Sequence, residues 1–190
     1  DVPGLYDSFF ADQKKFKKLY EKYENDDSIR KQKVNARELF AMFMKERANT
    51  GRIYLQNVDH CNTHGAFDPS QAPVKQSNLC MEITLPTKPL YSVQDENGEV
   101  ALCTLSAVNI GALDSLDELE DITEIIVRAL DSLLDYQDYP LKSAELTSIN
   151  RRTLGIGVTN LAYYLAKNDA KYSDGSGNEL IHKTFEALQF

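Results

Sequence analysis

The N-terminal quarter of the chain has the period of amphipathic helices. Residues 12–25 are highly charged, and their apolar residues fall on one helical face. A second helix is predicted over residues 29–49, because Ser28 can act as its N-cap and Gly51 can end it. The positions of this second helix that are expected to be buried are Ala36, Leu39, Phe40 and Phe43.

The middle of the chain changes to strand-like patterns separated by loops. Ile53-Tyr54-Leu55 is a short candidate strand, and residues 57–77 lack any period, which predicts a long ordered loop of the kind that is usually functional. An extended segment is predicted over residues 77–85. Asn97-Gly98 is a strong hairpin-turn signal, and it leads into a second β-like run over residues 99–105.

The C-terminal part returns to the helical period. Ser115 and Glu118 form a capping-box pattern for a helix over residues 116–135. A further helix is predicted over residues 153–167, and a turn at residues 174–177 precedes a last apolar-periodic stretch. Because strands and helices are interleaved, the fold class is α/β or mixed. The inward positions of the 116–135 helix are predicted to be Leu119, Ile122, Ile126, Ala129 and Leu133.

Composition and charge restrict the classes of function. The 190 residues are 42% hydrophobic, which is enough for a packed domain, and the net charge of −8 argues against a nucleic-acid partner, which needs a basic surface. No apolar run approaches the ~20 residues that span a bilayer, and no basic-then-apolar start suggests a signal peptide, so no membrane is expected. Three cysteines do not make a disulfide framework, which favours a reducing cytoplasm.

Cys80 lies between two polar side chains, in Asn78-Leu79-Cys80-Met81-Glu82. In an extended backbone, residues two apart project to the same side, so an amide, a thiol and a carboxylate would face one space. A carboxylate beside a thiol disfavours the thiolate by like-charge repulsion, so Glu82 suits a cysteine that exchanges hydrogen atoms better than a nucleophilic one. The simpler interpretation is an alternating strand with its polar side in water, and the spacing alone favours it.

Cys103 lies in the second β-like run, which a hairpin-like turn joins to the segment containing Cys80. A cysteine in an apolar strand is usually a small core residue. A redox role is the second hypothesis, and it requires two accessible sulfurs that can reach bonding geometry.

Cys61 lies in His60-Cys61-Asn62-Thr63-His64, which contains three potential metal ligands. A structural zinc site requires four ligands, and the remaining histidine, His182, is remote in sequence and lies on a predicted helix. We therefore expect no metal site. A loop held by hydrogen bonds from its histidines and asparagine fits the residues better.

Gly155-Ile156-Gly157 resembles the start of a dinucleotide-binding loop. However, Asn160 stands where a third glycine is needed, and no predicted strand clearly precedes the motif. The stronger interpretation is that the glycines allow close backbone packing at a helix start. Arg151 and Arg152 could bind an anion, although paired arginines are usually solvated or ion-paired.

Several segments, taken in order, resemble the large, catalytic subunit of class I (aerobic) ribonucleotide reductases. Residues 76–83, followed by Leu85-Pro86-Thr87-Lys88-Pro89-Leu90, are similar to the active-site finger of that family. The resemblance covers essentially the whole chain and is closest to bacterial and phage enzymes that reduce ribonucleoside diphosphates. The other matching segments are residues 51–54, 57–64, 101–106, 134–140 and 151–157.

The resemblance implies roles for individual residues of the finger. Cys80 would become the transient thiyl radical that abstracts the ribose 3′ hydrogen. Glu82 would take the proton of the 3′ hydroxyl, and Asn78 would hold and polarise the ribose. Leu79 and Met81 would shape the pocket for the ribonucleoside diphosphate substrate, so all five residues would be substrate-binding.

The resemblance also implies that much of the machinery lies outside this chain. Cys103 would be one half of a redox dithiol that helps expel the 2′ hydroxyl as water and ends as a disulfide with a cysteine outside the chain. Thioredoxin or glutaredoxin would supply the electrons. No cofactor or metal would be bound by this segment, because the family's di-iron tyrosyl radical belongs to the small (beta) subunit and the ATP, dATP and dNTP effectors bind elsewhere in the large subunit.

The implied fold is an α/β barrel of ten strands enclosing the finger loop, with flanking helices. This chain would be a segment of that catalytic barrel domain, helical over residues 1–50 and again over 111–190. Residues 51–110 would supply strands, a loop and the finger.

Two alternatives stay open for the chain itself. It could be an inactive fragment that must assemble with the rest of the large subunit. It could also be a Cys-His hydrolase, in which case iodoacetamide should label Cys80 quickly at neutral pH.

Overall fold

The computed structural model describes residues 2–190, which divide between Ala101 and Leu102 into two compact units. The sequence shows no linker at this point. The first unit contains helices α1 (Leu5–Ala11), α2 (Gln13–Glu24), α3 (Ala36–Thr50) and α4 (Val58–Thr63), and strands β1 (Gln76–Ser77) and β2 (Thr84–Leu85). The second unit contains strands β3 (Thr104–Asn109) and β4 (Leu154–Thr159), a 3-10 turn at Ile110–Ala112, and helices α5 (Glu118–Tyr136), α6 (Lys142–Arg151), α7 (Leu161–Lys167) and α8 (Asn178–Gln189).

Helix α2 confirms the first predicted helix, whereas α3 begins later than predicted. Ser28 does not cap α3, because its backbone N–H and hydroxyl bond instead to the Asp26 carboxylate in a local turn. The cap is Asn35, whose side-chain oxygen accepts from the backbone N–H of Arg37 at 3.0 Å. Gly51 ends the helix in the left-handed conformation (φ 64°), as predicted.

The predicted buried face of α3 is wrong for the described chain. Leu39 and Phe40 are 55% and 63% exposed, and no residue of α3 is buried. The apolar residues of α3 recur at helical spacing, but most of them lie at the surface of the described structure. Residues 53–55 also form no strand, and α4 interrupts the predicted loop at residues 57–77.

The predicted two-residue hairpin turn at Asn97-Gly98 is wrong, because neither residue has the positive φ that it requires. The backbone turn lies earlier, where the N–H of Asp95 donates to the Ser92 carbonyl at 3.2 Å, and the strand that follows is shorter than predicted. The backbone N–H of Asn97 bonds to the Asp95 side chain at 2.8 Å, and a single antiparallel bridge then joins Lys88 to Glu99. Of the predicted run at residues 99–105, only the last two residues belong to β3.

The second unit is organised by two parallel strands. Residue pairs run in register from Thr104↔Leu154 to Asn109↔Thr159, and α5 and α6 form the connection that a parallel pair requires. Helix α5 starts as the capping box predicts, since Glu118 accepts from the backbone N–H of Ser115 at 3.0 Å. The central buried residues are Val108, Ile110, Leu113, Leu119 and Tyr164.

Two helix predictions in the second unit are wrong. The predicted helix at residues 153–167 is strand β4 followed by the short α7, with Asn160 in the left-handed conformation (φ 65°) between them. Pairing with β3 overrides the helical spacing of the apolar residues. Two positions expected to face inward on α5 are exposed, Ala129 and Leu133, the latter by 46%. Thus β4 lies in the segment expected to be helical, and α4 lies in the strand-rich one.

The parallel strands with their helical connection confirm the α/β class. Among residues 2–190, no helix is both long and apolar enough to cross a membrane.

Candidate active site

The residues around Cys80 form a tight hairpin rather than the predicted extended segment. Strands β1 and β2 pair antiparallel, with Ser77 opposite Thr84. The backbone N–H of Met81 donates to the Asn78 carbonyl at 3.2 Å and closes the turn. Met81 is left-handed (φ 62°), which is uncommon for a residue with a side chain. We call residues 76–85 the Cys80 hairpin.

A hydrogen bond across the Cys80 hairpin brings the predicted amide and carboxylate together. The Asn78 side-chain N–H donates to Glu82 Oε1 at 2.5 Å, and Asn78 Oδ1 accepts from the backbone N–H of Ile83 at 3.4 Å. The sequence predicted that these side chains share one face of an extended strand. In the structure it is the turn that brings Asn78 and Glu82 into contact. Asn78 and Glu82 are hydrogen-bonded to each other. A substrate that binds to either side chain must therefore replace this hydrogen bond with its own.

Cys80 lies at the tip of this hairpin and is exposed. Its neighbour Leu79 is 91% exposed. The same short turn thus carries three chemically different groups: an exposed sulfur, a neutral hydrogen-bond donor and an anionic acceptor.

Ser77 lies in the predicted finger, but sequence analysis gave its side chain no role. Its Oγ lies within hydrogen-bond distance of the Ile83 carbonyl and of Asn78 Oδ1, the latter at 3.1 Å. A hydroxyl has one proton, so it donates to one of these oxygens at a time. The available signal was the type of residue, because serine side chains commonly bond to nearby backbone at turns.

Asn62 anchors the chain that leads into the hairpin. Its side-chain N–H groups donate to the carbonyls of Val58 and Val74, and its Oδ1 accepts from the backbone N–H of Val74, each at 2.8 Å. Asn62 is buried and Val74 is 1% exposed. The predicted asparagine hydrogen bonds are therefore confirmed, although residues 58–63 form helix α4 rather than the predicted loop. They tie α4 to the residue two positions before β1.

His60 on α4 and His64, which follows the end of α4, interact with their neighbours. Thr63 Oγ1 lies 2.9 Å from His64 Nδ1, and the rings of His60 and His64 meet edge to face, with centroids 5.5 Å apart. Across residues 2–190, no group of three or more histidine, cysteine, aspartate or glutamate residues is arranged to hold a metal ion.

A cavity of about 270 Å³ separates α4 from the hairpin. His60 and Cys61 line it from α4, and Met81 and Thr84 line it from the hairpin. Gln56 Nε2 lies 3.7 Å from the Cys61 sulfur at the same cavity. The left-handed Met81 thus faces α4, the element that Asn62 holds in place.

Cys103 belongs to the second unit, whereas the five predicted finger residues belong to the first. It immediately precedes β3, where the backbone N–H of Thr104 donates to the Thr153 carbonyl at 3.2 Å. Its side chain is half-buried. Cys103 is therefore positioned by the start of the parallel ladder.

Arg152 is ion-paired, as paired arginines usually are. It contacts Asp131 Oδ1 at 2.5 Å and Asp135 Oδ2 at 2.9 Å. Its hydrogen bond holds the pKa of Asp135 below the ordinary value, and the two carboxylates raise the pKa of the guanidinium. Arg152 therefore fastens the end of α6 to α5, which leaves the anion-binding alternative without support at this residue.

The α/β fold and the hairpin that carries Cys80 are consistent with the family that the sequence matches. The chain belongs to the family described as ribonucleotide reductase, barrel domain, whose sequence model matches residues 2–190. This confirms the resemblance noted in the sequence and the α/β barrel fold that it implied.

Similar proteins come from bacteria and a bacteriophage. The chain is 65% identical to "Ribonucleoside-diphosphate reductase subunit alpha" of Haemophilus influenzae and 69% identical to "Ribonucleoside-diphosphate reductase 1 subunit alpha" of Escherichia coli. Each match covers 100% of this chain and 25% of the relative. The subunit alpha of phage T4 is 47% identical over 98% of this chain and 24% of its own length. The chain thus spans about a quarter of the length of the curated relatives it matches.

Proposed function

We propose that this chain carries the substrate-facing hairpin of a ribonucleoside-diphosphate reductase, which makes 2′-deoxyribonucleoside diphosphates for DNA synthesis. The observation that carries the proposal is the exposed Cys80 at the tip of the turn whose Asn78 and Glu82 side chains are hydrogen-bonded. Relatives named for this activity match the chain along its whole length.

In the proposed reaction, the Cys80 thiyl radical abstracts the 3′ hydrogen atom of the ribose. A sulfur–hydrogen bond forms, the C3′–H bond breaks, and the unpaired electron moves to C3′. Glu82 accepts the proton of the 3′ hydroxyl as a general base, and the Asn78 amide donates to the ribose oxygen and polarises it. Because the Asn78 and Glu82 side chains are hydrogen-bonded to each other, one ribose hydroxyl could contact both of them.

The reduction itself requires two electrons from a dithiol. The 2′ hydroxyl leaves as water after protonation, and Cys103 and a cysteine outside this chain supply two electrons and two protons as their disulfide forms. Cys80 then returns its hydrogen atom to C3′ and becomes a thiyl radical again, and Glu82 returns its proton to the 3′ oxygen. The balance is one ribonucleoside diphosphate and two thiols giving one deoxyribonucleoside diphosphate, one disulfide and one water.

The proposal requires partners beyond this chain. They are the rest of the large subunit, a small subunit whose di-iron tyrosyl radical oxidises Cys80, and thioredoxin or glutaredoxin to reduce the disulfide. ATP, dATP and dNTP effectors would act on the rest of the large subunit, in the cytoplasm. By itself the segment would be inactive. The enzyme hypothesis then holds for the assembled subunit, and the fragment hypothesis holds for the isolated chain.

The test uses the full-length large subunit with its small subunit and a dithiol reductant. Cys80→Ser should abolish deoxyribonucleotide formation while radiolabelled ribonucleoside diphosphate still binds, because a hydroxyl is a poor hydrogen-atom relay. Cys61→Ser removes another thiol of the same unit and serves as the control, which should keep turning over. Measurable turnover by Cys80→Ser would refute the radical assignment.

A further inference from the structure

Gly155 is the glycine of the second unit that lies against the Cys103 thiol. In the parallel ladder Gly155 is paired with Leu105, and Cys103 lies two residues before Leu105, on the same side of the strand. A Cβ atom added to Gly155 would lie 2.5 Å from Leu105 Cδ2 and 3.3 Å from Cys103 Sγ. Both distances are shorter than ordinary van der Waals contact.

The reason for glycine at this position is space, since Gly155 lies in a regular strand. Its partner residue Leu105 is 65% exposed and can rotate away from an added methyl group at little cost. Cys103 is half-buried at the start of β3 and has less freedom to move. An added side chain would therefore act chiefly on the sulfur.

Gly157 provides a comparison within the same strand. It lies two residues further along β4, on the same side, and is paired with Ala107. A Cβ atom added there would meet nothing within 4 Å. In the motif Gly155-Ile156-Gly157, a side chain at Gly155 would crowd the Cys103 thiol, whereas the described structure leaves space for a side chain at Gly157.

We propose that Gly155 is a positioning residue for Cys103, which keeps the β4 side of the sulfur open for thiol–disulfide exchange. The proposal rests on the redox role proposed for Cys103. Disulfide geometry is narrow, with an S–S bond of about 2.05 Å and a restricted dihedral angle. A shift of a few tenths of an ångström, or a methyl group over the sulfur, is therefore enough to slow the bond's formation.

The redox step concerned has a simple balance. Cys103 and its partner each lose one proton and one electron to the ribose, and an S–S bond forms between them. Gly155 takes no part in this electron transfer. It affects only the position of the Cys103 sulfur and the side from which a second sulfur can approach it.

The experiment measures thiol exchange at Cys103 without relying on turnover. Reduced full-length subunit is treated with dipyridyl disulfide, and modification of the Cys103 peptide is followed by mass spectrometry. Gly155→Val should slow exchange at Cys103 about tenfold and Gly155→Ala about threefold, while the matched control Gly157→Val stays within about twofold of the parent. Equal rates in Gly155→Val and Gly157→Val would overturn the proposal.

A second pair of measurements separates this proposal from the proposed function. If Gly155→Val slows exchange but Cys103→Ser still completes repeated turnovers with dithiothreitol, the positioning stands and the redox role of Cys103 fails. If Cys103→Ser loses repeated turnover but Gly155→Val exchanges normally, the redox role stands and the positioning fails. Should the valine variant not fold, the rate of Gly155→Ala against Gly157→Ala decides the matter.

Discussion

The Cys80 hairpin and the β3–β4 ladder hold their cysteines by different means. The hairpin has strands of two residues each, an exposed tip and a turn held by hydrogen bonds of the Asn78, Glu82 and Ser77 side chains besides its backbone bond. The ladder has six paired residues on each strand, and its Val108 belongs to the buried core with Ile110. Cys80 therefore depends on a few exchangeable hydrogen bonds, whereas Cys103 depends on a backbone ladder and a core.

This difference suits the two proposed roles. A hairpin whose amide and carboxylate bond to each other can exchange that bond for a substrate hydroxyl at small net cost. A redox cysteine must meet a second sulfur within a narrow geometry, which favours a rigid strand. The comparison predicts that changes in the hairpin alter catalysis more than stability and that changes around the ladder do the opposite.

The largest expected effect is that of Glu82→Gln on catalysis. Glutamine keeps an oxygen that can accept from Asn78, so the hairpin should retain its shape, but it cannot take a proton. We expect kcat to fall by about 10²–10⁴-fold, the usual contribution of a general base, with little change in thermal stability. Glu96→Gln, in an exposed loop of the same unit, is the control. A kcat within twofold of the parent would remove Glu82 from the proposed mechanism.

The next effect is on stability, in the buried core of the second unit. Leu119 is 0% exposed, so Leu119→Ala should lower the local free energy of unfolding by about 2–5 kcal/mol through lost burial and a cavity. Hydrogen exchange of α5 peptides in the full-length subunit measures it. Leu133→Ala is the matched control on the same helix, because Leu133 is 46% exposed. Equal losses in the two variants would contradict the described core.

These regions also show what the sequence can predict. Helix α2, the Ser115–Glu118 cap of α5 and the Gly51 stop depend on residues within a few positions of each other, and all three were predicted correctly. Strand β4 was predicted as a helix because its conformation depends on a partner strand about 50 residues earlier in the chain. Spacing contains no information about such a partner.

The candidate site divides in the same way. Asn78, Cys80 and Glu82 could be selected from residue type and family resemblance, and their roles stay predictions. Their arrangement in a turn could not be predicted, because Met81 adopts a left-handed backbone that the residue type disfavours. Gly155 was noted as a motif, but its proximity to Cys103 exists only once β3 and β4 are paired.

A smaller stability effect is expected at the anchor of the hairpin. Asn62→Ala would leave the buried N–H and C=O of Val74 without their side-chain partner, at a cost of about 1–3 kcal/mol. Hydrogen exchange over residues 58–77 measures the local loss. Asn57→Ala is the control, since the Asn57 side chain makes no cap hydrogen bond. Unchanged exchange in Asn62→Ala would show that the hairpin does not need its anchor for stability.

The smallest expected effect is the acid dependence of the Arg152 ion pair, which lies at the exposed surface where such pairs contribute little. The hydrogen bond from Arg152 lowers the pKa of Asp135 below its ordinary 3.8. A lowered folded-state pKa means that the unfolded chain binds the proton more tightly. The stabilisation is therefore fully present well above pH 3.8 and is lost as the pH falls through the folded-state pKa.

Asp135→Asn should remove this part of the acid dependence and change melting at neutral pH only slightly. Melting temperatures of the full-length subunit, recorded from about pH 2 to about pH 6, measure it against Asp138→Asn, an exposed aspartate just beyond α5. If the Asp135→Asn and Asp138→Asn curves have the same slope below pH 3.8, Arg152 does not hold the end of α6 through this carboxylate. The rigidity ascribed to the ladder would then come from its backbone pairing and core alone.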